Sequence, residues 1–250
     1  MLQHSSFFIS MAYFIRLLRD QESKRVLRLR KMEYAKTPKR HDIINYLLGQ
    51  TKRKHYLEIG VRNPDHNFNK ILCANKYSVD PGYEYQKNPV SYKYTSDIFF
   101  NKLNKNQLDI PSDIRFDVIF LDGLHQSYQL ERDILNAIQF IDEKGFIVLH
   151  DCNPPSEYHA RENFDYKLSP ARDNWNGTSW KAFYKFRHRK DLFSACIDTD
   201  WGVGILSRHN FHNKFNHLAE IENPYFEFSE FEKNKIKHLN LLAYTQLIQN

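Results

Sequence analysis

The sequence predicts an α/β fold with a mostly parallel β-sheet, because three short apolar runs each end in an acidic residue beside a glycine. These runs cover residues 56–60, 77–82 and 116–123. Continuous apolar runs of this length are typical of strands buried on both faces of a parallel sheet. The acids then fall at the carboxyl ends of the strands, where open α/β sheets bind ligands. Three such acids indicate a pocket that binds the hydroxyl and amino groups of a nucleoside-like ligand.

The N-terminal half alternates between helix and strand patterns. Residues 6–35 are predicted to form one or two helices that end at Thr37-Pro38, and residues 40–50 form another that stops at a glycine. The first strand covers residues 55–61. A helix over 63–74 follows, since Asn-Pro-Asp suits a capped helix start with proline in the first turn.

The middle of the chain continues the alternation. The second strand covers 76–80, and a loop leads to a short third strand before Ser96. A helix over 97–104 precedes the fourth strand at 116–121. The helix over 127–141 places its apolar residues on one face.

The alternation stops after the fifth strand, at residues 146–150. Residues 151–178 are too long for an ordinary connection, which favours a lid or binding loop, and Asn176-Gly177-Thr178 within it indicates a turn. A helix over 179–187 and two strands, at 192–197 and 202–207, complete the sheet.

Chain length fits one α/β domain with additions, since the chain has 250 residues. We assign residues 39–208 to this domain, with the acceptor lid at 151–178. A helical N-terminal arm (1–38) precedes it and a helical C-terminal tail (209–250) follows.

Positive charge is concentrated in the arm. Ten Lys or Arg and three Asp or Glu lie between Arg16 and Arg40, whereas the whole chain has a net charge of +6, so the remainder is slightly negative. This disfavours a nucleic-acid substrate, whose phosphates need Lys and Arg around the site. The arm is either a solvated helix face or a surface for an acidic partner such as a membrane. The apolar segment 7–18 is too short to span a bilayer.

The three cysteines, at positions 73, 152 and 196, are odd in number and lie in or beside apolar runs. This pattern indicates reduced thiols and a cytoplasmic protein.

The first motif argues against a pyrophosphate ligand. Gly60 is followed by residues 61–66 without the second glycine of G-x-G-x-x-G, and Glu58 would repel a phosphate. Asp80 lies 22 residues after Glu58, at about the spacing at which an acid binds ribose hydroxyls. S-adenosylmethionine fits, because it has a ribose and two positive groups but no phosphate.

Four motifs in this order resemble class I S-adenosylmethionine-dependent methyltransferases, and most closely the macrocin- and catechol-type O-methyltransferases of glycan and natural-product biosynthesis. The motifs are residues 57–60, 79–82, 116–125 and 145–152. The resemblance implies a Rossmann-like seven-stranded sheet with the last strand antiparallel. It also implies methylation of a hydroxyl on a sugar, a glycan precursor or a related small molecule.

The resemblance implies a role for each residue of the cofactor site. Glu58 and Gly60 would border the methionine and ribose parts, and Asp80 would bind the ribose hydroxyls. Ser96 and Asp97 would meet the adenine. As an alternative, Asp97 caps the helix that begins beside it.

A second group lies at the ends of the fourth and fifth strands. Asp122 would face the sulfonium and, with Asp151 and Asn153, would offer hard oxygen ligands for Mg²⁺ or another divalent cation. The alternative is a general base, either His125 or His150, acting beside Asp122.

The lid offers aromatic and basic side chains to an acceptor. Trp175, with Tyr158, His159 and Arg161, would suit sugar rings or acidic sugars, whereas Trp180 is expected to pack the lid onto the body.

Two other classes stay open. A non-haem-iron oxygenase on the same fold would use two histidines and a carboxylate, which His125, His150 and Asp151 could supply. A non-catalytic binding module would use the basic arm to reach a membrane or polymer. A saccharide or small-molecule acceptor and a homodimer are the partners expected of the methyltransferase.

Overall fold

A computed structural model describes Met11, Ile15 and residues 20–52, 54–85, 87–165 and 169–249. Most of the apolar segment 7–18 lies outside these residues. None of the helices in the described part of the chain is long and apolar enough to cross a bilayer.

The described residues form one seven-stranded sheet flanked by helices. The helices are α1 (Gln21–Ala35), α2 (Arg40–Gly49), α3 (Ser96–Asn104), α4 (Ser127–Phe140), α5 (Ser179–Phe186), α6 (Phe228–Leu239) and α7 (Tyr244–Ile248). The strands are β1 (His55–Ile59), β2 (Asn75–Val79), β3 (Phe116–Leu121), β4 (Ile141–Leu149), β5 (Phe193–Ile197), β6 (Val203–Ser207) and β7 (Leu241–Leu242). Their order is β2-β1-β3-β4-β6-β5-β7. Strand β6 is antiparallel to both neighbours and the other pairs are parallel, which confirms the predicted α/β sheet.

Both faces of the central strands are buried. Ile119 of β3 belongs to a core cluster with Phe99 of α3 and Ile134 of α4. The next residue, Phe120, belongs to a second cluster with Ile43 of α2 on the opposite face. Since neither face of β3 is open to water, polar side chains can leave the sheet only at the strand ends. The apolar runs of the sequence therefore lead directly to the site.

The helix predicted over 63–74 is wrong, because this segment forms turns and one 3₁₀ turn at Phe68–Lys70. Asn67 has φ −141° and ψ −61°, so its backbone is not helical. Its side chain turns inward and donates to Glu58 at 2.8 Å and to Tyr56 at 3.2 Å. A buried carboxyl needs hydrogen-bond donors, and this need outweighs the local helix signal.

The third strand predicted before Ser96 is also wrong, since that stretch forms only a single bridge between Tyr92 and Val79. The seventh strand is β7, which pairs with β5 inside the segment predicted as a helical tail. Helices α6 and α7 flank it, but residues 210–227 form turns and bends. There Asn223 accepts from the amide of Glu227 at 2.9 Å, a local bond that competes with helix formation.

Candidate active site

The carboxyl ends of the first four strands border a cavity of about 1180 Å³. Gly60, Asp80, Asp122 and Asp151 contribute to its wall from the strand ends. The lid (151–178) and Tyr34 of α1 complete the wall. Since single-ligand pockets commonly occupy about 300–1,000 Å³, this cavity has room for a cofactor and an acceptor together.

Gly60 brings the ends of β1 and β3 into contact. Its φ is +87°, which glycine adopts without strain. A Cβ at this position would lie 2.2 Å from the carbonyl oxygen of Asp122. Any side chain would therefore separate the two strand ends that border the cavity.

Glu58 is a buried carboxyl on the cavity wall, only 1% exposed. It accepts from the hydroxyl of Tyr56 at 2.7 Å and from Asn67 at 2.8 Å. Burial raises the pKa of Glu58 to about 7, although both hydrogen bonds lower it. A cationic ligand nearby would favour its charged form.

Asp80 positions the glycine-poor loop after β1. Its Oδ2 accepts from the amide of Arg62 at 2.8 Å, and its Oδ1 accepts from the amide of Gly82 at 2.6 Å. Arg62 has φ +48°, a conformation that is uncommon without glycine. The carboxylate therefore helps to hold a turn for which the sequence provides no second glycine.

Ser96 lines the cavity, whereas Asp97 does not. Asp97 is exposed and pairs with Arg132 at 3.2 Å. The side chain that caps α3 is Thr95, whose hydroxyl accepts from the amide of Ile98 at 3.4 Å. The alternative that Asp97 caps this helix is therefore wrong.

Asp133 of α4 lies on the cavity wall near Ser96, and the sequence reasoning missed it. The side-chain amide of Gln129 lies 3.1 Å from Ser96 Oγ and 3.0 Å from Asp133 Oδ1. Burial raises the pKa of Asp133 to about 6. Its position inside an amphipathic helix pattern was the available signal, because a buried acid is exceptional on an apolar face.

Two carboxylates and two imidazoles meet at the ends of β3 and β4. We call Asp122, His125, His150 and Asp151 the His–Asp cluster. Oδ1 of Asp122 lies 3.2 Å from His150 Nδ1 and 3.4 Å from His125 Nε2. Oδ2 of Asp151 lies 3.1 Å from His125 Nδ1 and 3.3 Å from His150 Nδ1. The predicted catalytic residues are thus brought together.

Charge pairing dominates the electrostatics of this cluster. Burial lowers the pKa of both imidazoles, but Asp151 and Asp122 outweigh it and raise the pKa to about 9 for His125 and about 10 for His150. Burial would raise the pKa of Asp122, yet the two imidazoles and Arg40 hold it well below its usual range. The carboxylate of Asp122 therefore stays charged at neutral pH.

Arg40, the first residue of α2, joins the cluster from the other side. Its Nη1 lies 3.1 Å from His150 Nε2 and 3.2 Å from Asp200 Oδ2. Because a guanidinium only donates, this contact opposes the carboxylates: it favours a neutral His150 with its proton on Nδ1, whereas Asp151 and Asp122 favour the imidazolium. Sequence reasoning missed Arg40 and Asp200, which are 160 positions apart and share no local pattern.

The structure does not bring Asn153 to the cluster. Asn153 is buried outside the cavity wall, and its amide donates to Asp198 at 3.0 Å. Asn176 of the lid instead donates to Asp151 Oδ1 at 2.7 Å. Asn176 is 1% exposed and lines the cavity, and its Oδ1 has no hydrogen-bond partner. The amide side chain that contacts the cluster therefore comes from the predicted turn and not from Asn153.

The lid is clamped onto His125. The carbonyl oxygen of Trp175 lies 2.8 Å from His125 Nδ1, and the two rings stack with centroids 5.4 Å apart. The amide of Thr178 donates to the carbonyl of His125 at 2.8 Å. Gly177 has φ +59°, and a Cβ there would lie 2.0 Å from the same carbonyl. The lid thus sets the orientation of this imidazole.

Trp180, which follows the lid in α5, and Arg161 of the lid have structural roles. Trp180 is 1% exposed and packs on Phe231 with centroids 4.3 Å apart, as the sequence predicts. Arg161 donates to the carbonyls of Tyr158 at 2.7 Å and Asn174 at 3.0 Å. Its guanidinium therefore organises the loop and does not line the cavity.

Comparison with known proteins identifies the family. A family model described as a methyltransferase domain matches residues 10–152, which is more than half of the 250-residue chain. The chain belongs to this family and is a class I S-adenosylmethionine-dependent methyltransferase.

Several solved structures are similar to this chain. A protein of Corynebacterium glutamicum is 14% identical, with a TM-score of 0.41 over 83% of this chain and 99% of that one. A putative O-methyltransferase of Klebsiella pneumoniae is 13% identical, with a TM-score of 0.44 over 78% and 94%. The O-methyltransferase TomG of Streptomyces achromogenes, involved in tomaymycin synthesis and solved with S-adenosylmethionine, is 12% identical, with a TM-score of 0.42 over 79% and 95%. No curated protein matches the chain.

The buried carboxyl of Glu58 predicts a pH-dependent stability that Glu58→Gln removes. In the folded state its pKa is raised from 4.5 to about 7, so the stability that it contributes is present below pH 4.5 and is lost as the pH rises through 7. Between pH 4 and pH 8 we expect the variant's free energy of unfolding to rise relative to wild type by about 3 kcal/mol. Urea denaturation across this range measures it.

The control is Glu143→Gln, at an exposed carboxyl. It should follow the wild-type pH dependence. If Glu58→Gln did so too, Glu58 would not be a protonated group in the folded protein.

Proposed function

We propose that the enzyme methylates a hydroxyl oxygen on a sugar, a glycan precursor or a related small molecule. The observation that carries the proposal is the His–Asp cluster, which sets an imidazole on the wall of a cavity large enough for two ligands. The bound cofactor supplies an electrophilic methyl group on its sulfonium. The protein then has to align the hydroxyl oxygen with that methyl group and to accept the hydroxyl proton.

The strand ends of β1 and β2 suit the cofactor. Carboxylates at Glu58 and Asp80 favour its positive groups, and both residues line the cavity. Asp80 would bind the ribose hydroxyls, since each of its oxygens has a lone pair beyond the one that meets a backbone amide. For the adenine we propose Ser96 with Asp133, because Asp97 lies outside the cavity wall.

We propose His125 as the general base, acting from the neutral form of its imidazole, which its raised pKa of about 9 makes the minor form at neutral pH. Its side chain is 25% exposed, which gives an acceptor access to the imidazole. When the ring takes a proton, Asp122 and Asp151 stabilise the imidazolium. Asp122 also contacts His150, and His150 in turn contacts Arg40. His150 and Arg40 therefore hold the Asp122 carboxylate in place.

A divalent cation bound by the same cluster is the alternative to a histidine base, because an imidazole nitrogen that binds a metal cannot accept the hydroxyl proton. Asp122, His125 and Asp151 each place one ligand atom within 4.8 Å of the others. Two carboxylates and an imidazole suit Mg²⁺ or Mn²⁺, and a cation there would acidify the acceptor hydroxyl. Asn176 fits the role proposed for Asn153, because it lines the cavity and contacts Asp151.

The oxygenase alternative is less well supported. Its iron site would need two histidines and one carboxylate. Within the described residues, the group whose ligand atoms all lie within 4.8 Å of one another has one histidine and two carboxylates, and His150 is outside that group.

We also propose a cytoplasmic enzyme with a saccharide or small-molecule acceptor, and an arm that contacts a membrane or a second copy. The three cysteines form no disulfide, in agreement with a reducing compartment. Two basic residues of the arm form ion pairs with other parts of the chain. Arg25 pairs with Glu157 at 3.3 Å, and Lys36 pairs with Asp198 at 2.7 Å.

Calorimetric titration with S-adenosylhomocysteine tests the cofactor site in the metal-stripped enzyme. We expect micromolar binding to wild type and at least about tenfold weaker binding to Asp80→Ala, because a charged acceptor of hydrogen bonds is lost. Asp113→Ala removes an exposed carboxylate outside the cavity wall and should bind as wild type does. Absence of binding to wild type, with and without Mg²⁺, would refute the site.

Titration with Mn²⁺, followed by electron paramagnetic resonance, tests the cation site without relying on turnover. His125→Ala and Asp151→Asn should each weaken binding about tenfold or more, as expected for loss of a ligand. Asn suits position 151, whose φ is +60°.

Asn153→Ala is the matched control, since it removes a buried polar side chain close in sequence but outside the cluster. Wild-type affinity is expected for this variant. An equal loss in Asn153→Ala, or none in His125→Ala, would contradict the proposed ligands.

A further inference from the structure

We infer that the acceptor is a ring-bearing molecule without negative charge, and that its ring stacks on a wall made by Tyr34 of the N-terminal arm and Trp201 of the β5–β6 turn. This inference rests on the proposed function, which leaves the charge of the acceptor open. It also gives the arm a part in the acceptor site.

Tyr34 is exposed but held in place. The residue is 60% exposed and lines the cavity. Its hydroxyl donates to Asn174 of the lid at 2.8 Å, and its ring meets the Trp201 ring edge-on with centroids 5.4 Å apart. A ring fixed at both ends loses little freedom on binding, so its exposed face is preorganised for a flat ligand.

Trp201 reaches the cavity through a sharp reversal. Its φ is +68°, and its neighbours Asp200 and Gly202 have φ +45° and +89°. A left-handed conformation costs a non-glycine residue about 1–2 kcal/mol, so other contacts must maintain it. Asp200 supplies one such contact by accepting from the backbone amide of Arg40 at 3.0 Å. The stacking wall is thereby joined to the His–Asp cluster.

Aromatic side chains continue from this wall to the general base. Trp175 stacks on His125, and Phe164 packs on Trp175 with centroids 5.5 Å apart. Both aromatic rings line the same cavity. A ring bound beside Tyr34 would lie in the same cavity as His125.

Charge on the cavity wall excludes an anionic ring. The wall carries eight carboxyl groups and two guanidinium groups. The carboxyl groups are those of Glu58, Asp80, Glu84, Asp122, Asp133, Asp151, Asp165 and Asp173. Arg40 pairs with Asp200 at 3.2 Å and Arg62 pairs with Glu84 at 3.1 Å. Burial raises the pKa of Glu58 and Asp133. Even with these two neutral and both imidazoles of the His–Asp cluster protonated, six carboxylates face two guanidinium and two imidazolium groups on the described wall.

An acceptor bearing a carboxylate or phosphate would therefore enter a negative field, whereas a hydroxyl- or amine-bearing ring would not. Acidic sugars, which the sequence analysis included for their fit to Arg161, are disfavoured because that guanidinium is bonded within the lid.

Three matched sets of probes test the inference: methyl hexosides, methyl aminohexosides and methyl hexuronides, each in gluco, galacto and manno configuration. Binding to the full-length enzyme saturated with S-adenosylhomocysteine is followed by quenching of tryptophan fluorescence, since Trp175 and Trp201 line the cavity. We expect at least one neutral or amino probe to bind about tenfold or more tightly than its uronide. Stacking energy predicts that Tyr34→Ala weakens that binding about fivefold or more.

Two control variants distinguish the loss of the Tyr34 ring from a general disturbance of the helix. Tyr34→Phe keeps the ring and should lose less affinity than Tyr34→Ala. Met32→Ala removes an exposed side chain of the same helix that lies outside the cavity wall, and should bind as wild type does. Affinity for S-adenosylhomocysteine should be unchanged in all three.

Three results would overturn the inference while the methyltransferase proposal stands. These are uronide binding as tight as that of the neutral hexoside, equal affinities for Tyr34→Ala and Met32→Ala, and no binding of any probe to an enzyme that binds S-adenosylhomocysteine. If wild type failed to bind S-adenosylhomocysteine, the proposed function would fail first and this inference with it.

Discussion

Compensation of two buried carboxylates, Asp122 and Asp151, is the constraint on which the site depends. An uncompensated buried charge costs several kcal/mol, so each carboxylate must find partners within the fold. These partners come from separate parts of the chain: Arg40 from α2, His125 from the loop after β3, His150 from the end of β4 and Asn176 from the lid. The same charges that suit catalysis thus hold the lid and the start of the domain against the sheet.

This arrangement divides the cavity into two functional parts. The β1 and β2 ends carry Glu58 and Asp80, which suit a positively charged ligand with ribose hydroxyls. The lid and the arm carry Trp175 and Tyr34, which suit the face of a ring. Gly60 brings the end of β1 against the end of β3, because it has no side chain. Transfer of a methyl group across this junction needs mainly alignment, which rigid strand ends provide.

Much of the sheet was predictable because burial on both faces leaves an unbroken apolar run. Such runs fix β1 and β3, and the acids that end β1, β2 and β3 follow from them. The helix predicted over 63–74 does not form, because the conformation of Asn67 is determined by its hydrogen bond to the buried Glu58 and not by its sequence neighbours. Such a long-range contact leaves no local pattern in the sequence. Strand β7 has only two residues, too short a run to carry a strand pattern.

Long-range partners limited the prediction of the site. Asp122, His125 and Asp151 follow strands and could be placed together from sequence. Arg40 meets Asp200 across 160 positions, and no local pattern connects them. The sequence indicated Asn153 because it lies two positions after Asp151, but the backbone at Asp151 has φ +60° and Asn153 lies outside the cavity wall.

A crystal structure with S-adenosylhomocysteine tests the central claim most directly. We predict that the ribose hydroxyls contact Asp80 and that the sulfur lies between Gly60 and Asp122, facing His125, with the space beside Tyr34 left for the acceptor. An adenosyl group stacked on Tyr34 and Trp201, with the sulfur remote from His125, would contradict the assignment of both halves of the cavity.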